Sequence, residues 1–310
     1  MRGAFFQALM EMAETDERIY LLVGDLGFGV VEPFRQKFPK RFLNVGVAEQ
    51  NLTGLAAGIA STGAIVFTYS IANFPVLRCL EQIRNDVCYH RCNVKIVSVG
   101  GGYSYGALGM THHSTEDLAI LRALPELTVV APGDPYEAQE ATRAIVAHQG
   151  PCYLRLGRAG EQRVHSSPVE FQVGRAIQVR SGETLTLIST GALLHTAVTV
   201  ADRLADDGVS TRVLSMHTLK PLDVEAVRSA ARETRAVITM EEHSIIGGLG
   251  GAVAECLAEE DHLKVPFRRL GIPASFSAQF GSQDYLRSEC GLSPERIMAA
   301  LEPLLQTVRT

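Results

Sequence analysis

Tryptophan is missing from all 310 residues, so 12 Phe and 8 Tyr carry the aromatic content. No window holds the roughly 18–20 apolar residues that a membrane-spanning helix needs, and no membrane role is expected. The start, Met1-Arg2-Gly3-Ala4-Phe5-Phe6, has one charged side chain and soon reaches Gln7 and Glu11; it has no secretory signal core. Basic residues are not in excess: 29 Lys and Arg stand against 34 Asp and Glu, for a net charge of −5. A dedicated nucleic-acid binder would show a basic stripe, so that class is excluded. Six cysteines (Cys79, Cys88, Cys92, Cys152, Cys256 and Cys290) are scattered along the chain, which points to free thiols in a reducing cytoplasm. His90 lies between Cys88 and Cys92, but no second ligand pair follows at zinc-site spacing. These are expected to be packed thiols, and no metal site is assigned. Internal repeats and low-complexity tracts are also lacking.

The rest of the composition is that of an ordinary globular protein, 46% hydrophobic and 20% charged, with length enough for two domains. Short apolar runs alternate with helical patterns, which predicts an α/β chain of two consecutive domains, each a mostly parallel sheet flanked by helices. In the first half the runs are Ile19 to Val23, Ile65 to Phe67, Val94 to Val99, Leu127 to Val130 and Cys152 to Leu156. Helical candidates lie near 4–14, 50–62, 76–91 and 134–148. The pattern lapses in the polar, turn-forming stretch after Arg158, so residues 1–160 are read as one domain, 161–178 as a linker and 179–310 as a second domain. The second half has runs at Leu185 to Ile188, Thr211 to Leu214, Val237 to Met240 and Phe267 to Ile272. Helices are predicted over 193–206, 223–233 and 250–259.

The most informative segment is Asn44-Val45-Gly46-Val47-Ala48-Glu49-Gln50-Asn51. Downstream, Leu52, Leu55, Ala56 and Ile59 fall at helical spacing, which places Glu49 at or just before a first helical turn. A helix N-terminus stabilises a carboxylate by roughly 0.3–1 kcal/mol, so spacing alone allows Glu49 to be a simple cap. Further on, Gly100-Gly101-Gly102-Tyr103-Ser104-Tyr105-Gly106 is too glycine-rich for a helix or strand interior and reads as a loop that a ligand or backbone can approach closely. It leads to Thr111-His112-His113.

These pieces, in order, resemble the transketolase superfamily across almost the whole chain. The resemblance takes in Gly24-Asp25-Leu26, Glu49, Thr111-His112, and Val130-Ala131-Pro132 with Asp134. It continues through Gly150-Pro151 before a strand ending at Arg158, and Glu241-Glu242-His243 leading to Gly247-Gly248-Leu249-Gly250. It implies a transketolase pyrimidine-binding domain followed by a transketolase C-terminal domain. It also implies thiamine diphosphate as cofactor and Glu49 as the acid that hydrogen-bonds the cofactor's aminopyrimidine ring. An aromatic side chain should lie against that ring, Phe74 as first choice and Tyr69 as second. His112 would face the substrate and exchange protons with sugar hydroxyls. Arg2 and Arg158 match the two arginines that bind a substrate's distal anion, and a planar guanidinium fork suits an oxyanion.

The sequence also departs from that pattern. Leu108 stands where transketolases carry an aspartate, Gly29 where a serine is expected, and Gly100 where a histidine is expected. Phosphate, sulfonate and carboxylate therefore all remain open for the distal group, and His113 has no assigned role. The chain contains no Gly-Asp-Gly, the motif that in this family holds the cofactor's diphosphate and magnesium. The resemblance thus implies a separately encoded N-terminal subunit as partner, magnesium bound mainly by that partner, and two copies of each chain around a two-fold axis. The expected activity is transfer of a two-carbon ketol unit from a ketose to an aldose. The alternatives are the beta subunit of a 2-oxo acid dehydrogenase and a deoxyxylulose-phosphate-synthase-like carboligase.

Overall fold

The computed structural model describes residues 1–260 and 265–308. The first half begins with α1 (Arg2–Thr15), β1 (Ile19–Val23), α2 (Glu32–Lys37), β2 (Phe42–Asn44), α3 (Glu49–Ala60) and β3 (Ile65–Ile71). A broken helical stretch follows, α4 (Phe74–Leu77) and α5 (Leu80–Gln82), running on as a π-turn over Ile83–Cys88. Then come β4 (Val94–Val99), α6 (Asp117–Arg122), β5 (Thr128–Val130), α7 (Pro135–Ala147) and β6 (Cys152–Leu156). The second half holds β7 (Ile177–Arg180), β8 (Leu185–Ser189), α8 (Leu194–Asp206), β9 (Thr211–Ser215), β10 (Thr218–Lys220), α9 (Val224–Glu233) and β11 (Val237–Ser244). It closes with α10 (Leu249–Ala258), β12 (Phe267–Ile272), α11 (Gln283–Glu289) and α12 (Pro294–Val308).

Among the described residues the strands form a seven-stranded sheet, order β10-β5-β6-β4-β3-β1-β2, and a five-stranded sheet, order β12-β11-β8-β9-β7. Both are parallel except for the edge strands β10 and β7, which run antiparallel. The central strands β4 and β6 are buried at every position, as expected for a parallel sheet covered by helices on both faces. Alternate residues serve opposite layers. Leu22, Val66 and Ile96 pack with Leu52 and Ala56 of α3, whereas Leu21, Phe67 and Val97 pack with Phe5 and Leu9 of α1. A third core gathers Leu187, Val213 and Ile238 of the second sheet with Leu194 and Val200 of α8 and Leu301 of α12.

The structure adds elements that the periodicity did not predict. β10 lies in the second half of the chain yet pairs with β5 of the first sheet, Thr218 opposite Val130. β7 begins at Ile177, inside the stretch read as linker. The expected helix near 76–91 is interrupted around Arg78 and Cys79. α12 runs from Pro294 despite Pro303 in its interior, because Ile297, Leu301, Leu304 and Leu305 recur at helical spacing and are buried.

The two halves are locked by a buried ionic seam. Asp117, at the start of α6, accepts hydrogen bonds from Tyr153 Oη at 2.6 Å and Arg155 Nε at 2.8 Å. Arg155 Nη2 also donates to the carbonyls of Ser114 and Glu242, at 2.7 and 3.1 Å. The Glu242 carboxylate crosses back, accepting from Tyr103 N at 2.7 Å as well as from Gln283 and Arg287. Nearby, Glu241 accepts from Leu249 N and Gly250 N, each at 2.7 Å. The N-terminus of α10 is thus capped from within, and burial pushes the Glu241 carboxyl up to about 7 against those two N–H groups. Burial pushes the Asp117 carboxyl up too, but Arg155, His243 and Tyr153 outweigh it and hold the group below its ordinary value.

Because the folded-state pKa of Asp117 is depressed, its contribution is in place above the unfolded carboxylate value, about 3.9, and is lost as pH falls through the folded value. Asp117→Asn is expected to lower the urea midpoint at pH 7, with the gap to the parent chain narrowing below about pH 4. A gap that stays constant or widens on acidification would contradict this.

Candidate functional site

The parallel strands of the first sheet end at one edge, where loops converge as they do in open α/β sheets. Glu49 is delivered to this edge by the N-terminus of α3 and is 3% exposed. Gly24, just past β1, faces it: a Cβ there would lie 3.7 Å from Ser70 Oγ and 3.8 Å from Glu49 Cγ. Ser70 Oγ is buried and has no hydrogen-bond partner among the described residues.

The Glu49 carboxylate is met by Arg78, whose Nη1 donates to Oε2 at 2.8 Å. The same guanidinium lies 4.5 Å over the Phe74 ring, a cation–π contact. Phe74 in turn meets the His112 ring edge to face at 5.1 Å. His112 is fixed by its neighbours: Thr111 Oγ1 lies 3.0 Å from Nδ1, and Asn73 Nδ2 donates to the Thr111 carbonyl at 2.6 Å. Beyond His112 comes Tyr105, its ring centroid 6.4 Å away, and then Arg158, its guanidinium 4.9 Å over that phenol ring. Arg2, at the start of α1, acts electrostatically on the hydroxyls of both Tyr69 and Tyr105. Glu49, Arg78, Phe74, His112, Tyr105 and Arg158 therefore form one row of alternating charge and ring.

The row takes in Glu49, Phe74, His112 and Arg158 from the sequence-predicted residues, with Arg2 approaching its far end. Tyr69 is a correction. It is 0% exposed, stacked on Phe5 at 6.2 Å and met edge-on by Phe6 at 5.0 Å, so neither face is free for a ligand ring. Leu108 is exposed beside the loop. His113 is buried against Tyr103, with Nε2 3.3 Å from the Gly106 carbonyl. Sequence reasoning missed Arg78 and Tyr105. The signal for Arg78 was its place four residues after Phe74, one helical turn on. The signal for Tyr105 was an aromatic residue in a glycine-rich loop, one that Tyr103 two residues earlier shares.

Burial, and then the neighbouring His113, push the His112 imidazole below its ordinary value. At neutral pH the ring is uncharged, with one nitrogen able to accept a proton and the other to donate one.

Comparison with known proteins shows the family. Two family models match, "Transketolase, pyrimidine binding domain" over residues 1–160 and "Transketolase, C-terminal domain" over residues 174–297. A 6-deoxy-6-sulfo-D-fructose transketolase subunit of Clostridium sp. (strain MSTE9) is 40% identical over 301 residues, 97% of this chain and 92% of that protein. An apulose-4-phosphate transketolase subunit of Phocaeicola vulgatus is 39% identical over 298 residues, 96% of this chain and 94% of that one. A solved structure described as a split gene transketolase, inactive beta4 tetramer, superimposes with a TM-score of 0.89 at 36% identity, covering 100% of this chain and 98% of that chain. The chain belongs to the transketolase family and carries its pyrimidine-binding and C-terminal domains.

An NMR titration that follows the His112 ring is expected to give a midpoint below the ordinary imidazole value of about 6.5. A midpoint at or above that value would show that burial does not dominate its surroundings.

Proposed function

We propose that this chain is the small, C-terminal subunit of a split transketolase, an enzyme that transfers a two-carbon ketol unit from a ketose to an aldose, with an anionic sugar among its substrates. The observation that carries the reading is the buried carboxylic acid of Glu49, which stands at the head of a row that ends in the arginine Arg158. The names of the relatives support it, since two are subunits of transketolases acting on a sulfonated sugar and on a sugar phosphate.

Thiamine diphosphate is the cofactor the family implies, and the residues fit the pyrimidine side of that group. Glu49 offers a buried acid, Ser70 an unpartnered hydroxyl, and Phe74 a ring to stack on once Arg78, which lies over it, moves aside. When bound, the group supplies an electron sink for making and breaking carbon–carbon bonds. Glu49 would hydrogen-bond the pyrimidine side of the group and hold a proton there, with Arg78 giving up its place at Oε2. Phe74 orients the ring by stacking, an effect of about 0.5–1.5 kcal/mol beyond area burial. His112, uncharged, takes a proton from a substrate hydroxyl and returns it, and Arg158 with Arg2 holds the distal anion.

The diphosphate and magnesium are assigned to a separately encoded N-terminal partner, because the matched domains are the pyrimidine-binding and C-terminal ones. The surface beside Glu49 suits such a partner. Phe28 and Val47 are each 74% exposed, with Leu43 and Leu77 also uncovered, and they lie in the loops after β1 and β2, in β2 itself and in α4. Exposed apolar side chains grouped at one edge mark interaction surfaces. The assembly is read as two copies of each chain, in the cytoplasm.

The reading is tested with the pair reconstituted from the two subunits. Hydroxypyruvate or fructose 6-phosphate is expected to be consumed in the presence of an aldose, and Glu49→Gln is expected to lower kcat by about 10²–10⁴-fold, the range of general acid–base effects. Full turnover by Glu49→Gln, or consumption of pyruvate instead, would overturn it.

A further inference from the structure

Gly100 ends β4 with φ +97, a conformation that L side chains rarely adopt. A Cβ at this position would meet the Tyr105 ring at 2.1 Å from Cε2 and 2.3 Å from Cδ2. The phenol is thus laid directly on the backbone of residue 100, and no other residue type at that position would leave it room. The loop that carries the ring is also held, at the next residue. Gly281 N of the C-terminal domain donates to the Gly106 carbonyl at 3.3 Å, and a Cβ at Gly106 would lie 2.7 Å from the Gly281 carbonyl oxygen. Gly106 N donates to the Tyr103 carbonyl at 2.7 Å. Tyr105 is therefore a fixed wall, with Gly100 on one side, the Arg158 guanidinium 4.9 Å over its ring, and His112 at 6.4 Å.

The cations beside it are not neutralised. Neither Arg158 nor Arg2 has an ion-pair partner among the described residues, whereas Arg78, Arg122, Arg143, Arg155 and Arg287 each pair with a carboxylate. Burial raises the Tyr105 hydroxyl above its ordinary value although Arg158 and Arg2 oppose it, so the phenol keeps its proton at neutral pH and can donate it in a hydrogen bond.

We infer that Tyr105 determines specificity for the anionic end of the substrate. Its ring, seated on Gly100, fixes the Arg158 guanidinium and sets the distance from His112 to the cations. Its hydroxyl donates to a tetrahedral oxyanion, phosphate or sulfonate, that Arg158 and Arg2 bind. This deepens the transketolase reading and rests on it for the identity of the substrate as a sugar or short aldehyde.

The test measures binding of acceptor aldehydes to the reconstituted holoenzyme by calorimetry with no ketose present, so that no turnover occurs. The probes are glyceraldehyde 3-phosphate, its 3-deoxy-3-sulfo analogue and uncharged glyceraldehyde. The parent pair is expected to prefer at least one of the two anions over glyceraldehyde, and which one it prefers tells phosphate from sulfonate. Tyr105→Ala and Arg158→Ala are each expected to cut that preference about tenfold, the scale of a charge-assisted contact. Tyr105→Phe, which keeps the ring, is expected to give a smaller loss. The double variant is expected to be no weaker than Arg158→Ala alone, because the two residues act as one unit. Gly100→Ala is expected to reproduce Tyr105→Ala by expelling the ring.

An unchanged preference in a folded Tyr105→Ala pair, or additive losses in the double variant, would overturn the assignment. Ketol transfer from hydroxypyruvate, measured on the same samples, reports separately on the enzyme reading. Transfer with an unchanged preference sinks Tyr105 alone, whereas loss of preference without any transfer in the parent pair sinks the transketolase reading and leaves Tyr105 as an anion-site residue.

Discussion

The site depends on keeping one carboxylate out of water. A lone buried carboxylate is costly, and Glu49 is accommodated by two features, one local and one brought from 29 residues away. The first is the N-terminus of α3, whose dipole favours negative charge. The second is Arg78, brought back onto Glu49 because the helical stretch after β3 breaks instead of running straight on. The arginine is half-exposed, so the ion pair is screened and can be exchanged for another partner.

From that pair the rest of the site follows as a sequence of contacts between charges and rings. Arg78 lies over Phe74, Phe74 touches His112, His112 approaches Tyr105, and Tyr105 carries Arg158. The second domain holds this row in place. Glu242 grips the loop after β4 through Tyr103 N, and Gly281 closes on Gly106. The Asp117–Arg155 pair joins the halves behind it, and β10 extends the first sheet with a strand from the second half. In this chain the C-terminal domain acts as a brace for the chemistry carried by the pyrimidine-binding domain.

Much of this was legible in the residues. The runs Val94 to Val99, Cys152 to Leu156 and Phe267 to Ile272 coincide with β4, β6 and β12, because apolar or β-branched runs bounded by turn residues leave little choice. The helix start at Glu49 followed from the spacing of Leu52, Leu55, Ala56 and Ile59. Tyr69 was misplaced because β3 was taken to end at Phe67. It continues to Ile71, and strand parity then puts Tyr69 on the same face as Ile65 and Phe67, inside the core. β10 and β2 escaped notice because Thr218-Leu219-Lys220 and Phe42-Leu43-Asn44 form no continuous apolar run, unlike the equally short β5 in Leu127 to Val130. Arg78 and Tyr105 carried only weak signals, a place one helical turn after Phe74 and an aromatic side chain in a glycine-rich loop, because the backbone turns that bring them to the row, the break after α4 and the left-handed Gly100, leave no periodic trace. The left-handed conformation at Gly100 is what makes the second of them possible.

On the reading proposed above, this polypeptide supplies the pyrimidine face of the cofactor site and a second chain the diphosphate face. The most direct check is a calorimetric titration of thiamine diphosphate with magnesium into the chain alone and into the chain mixed with its N-terminal partner. Saturable binding is expected for the pair, and none in the micromolar range for the lone chain. Micromolar binding by the lone chain would contradict a site divided between two polypeptides.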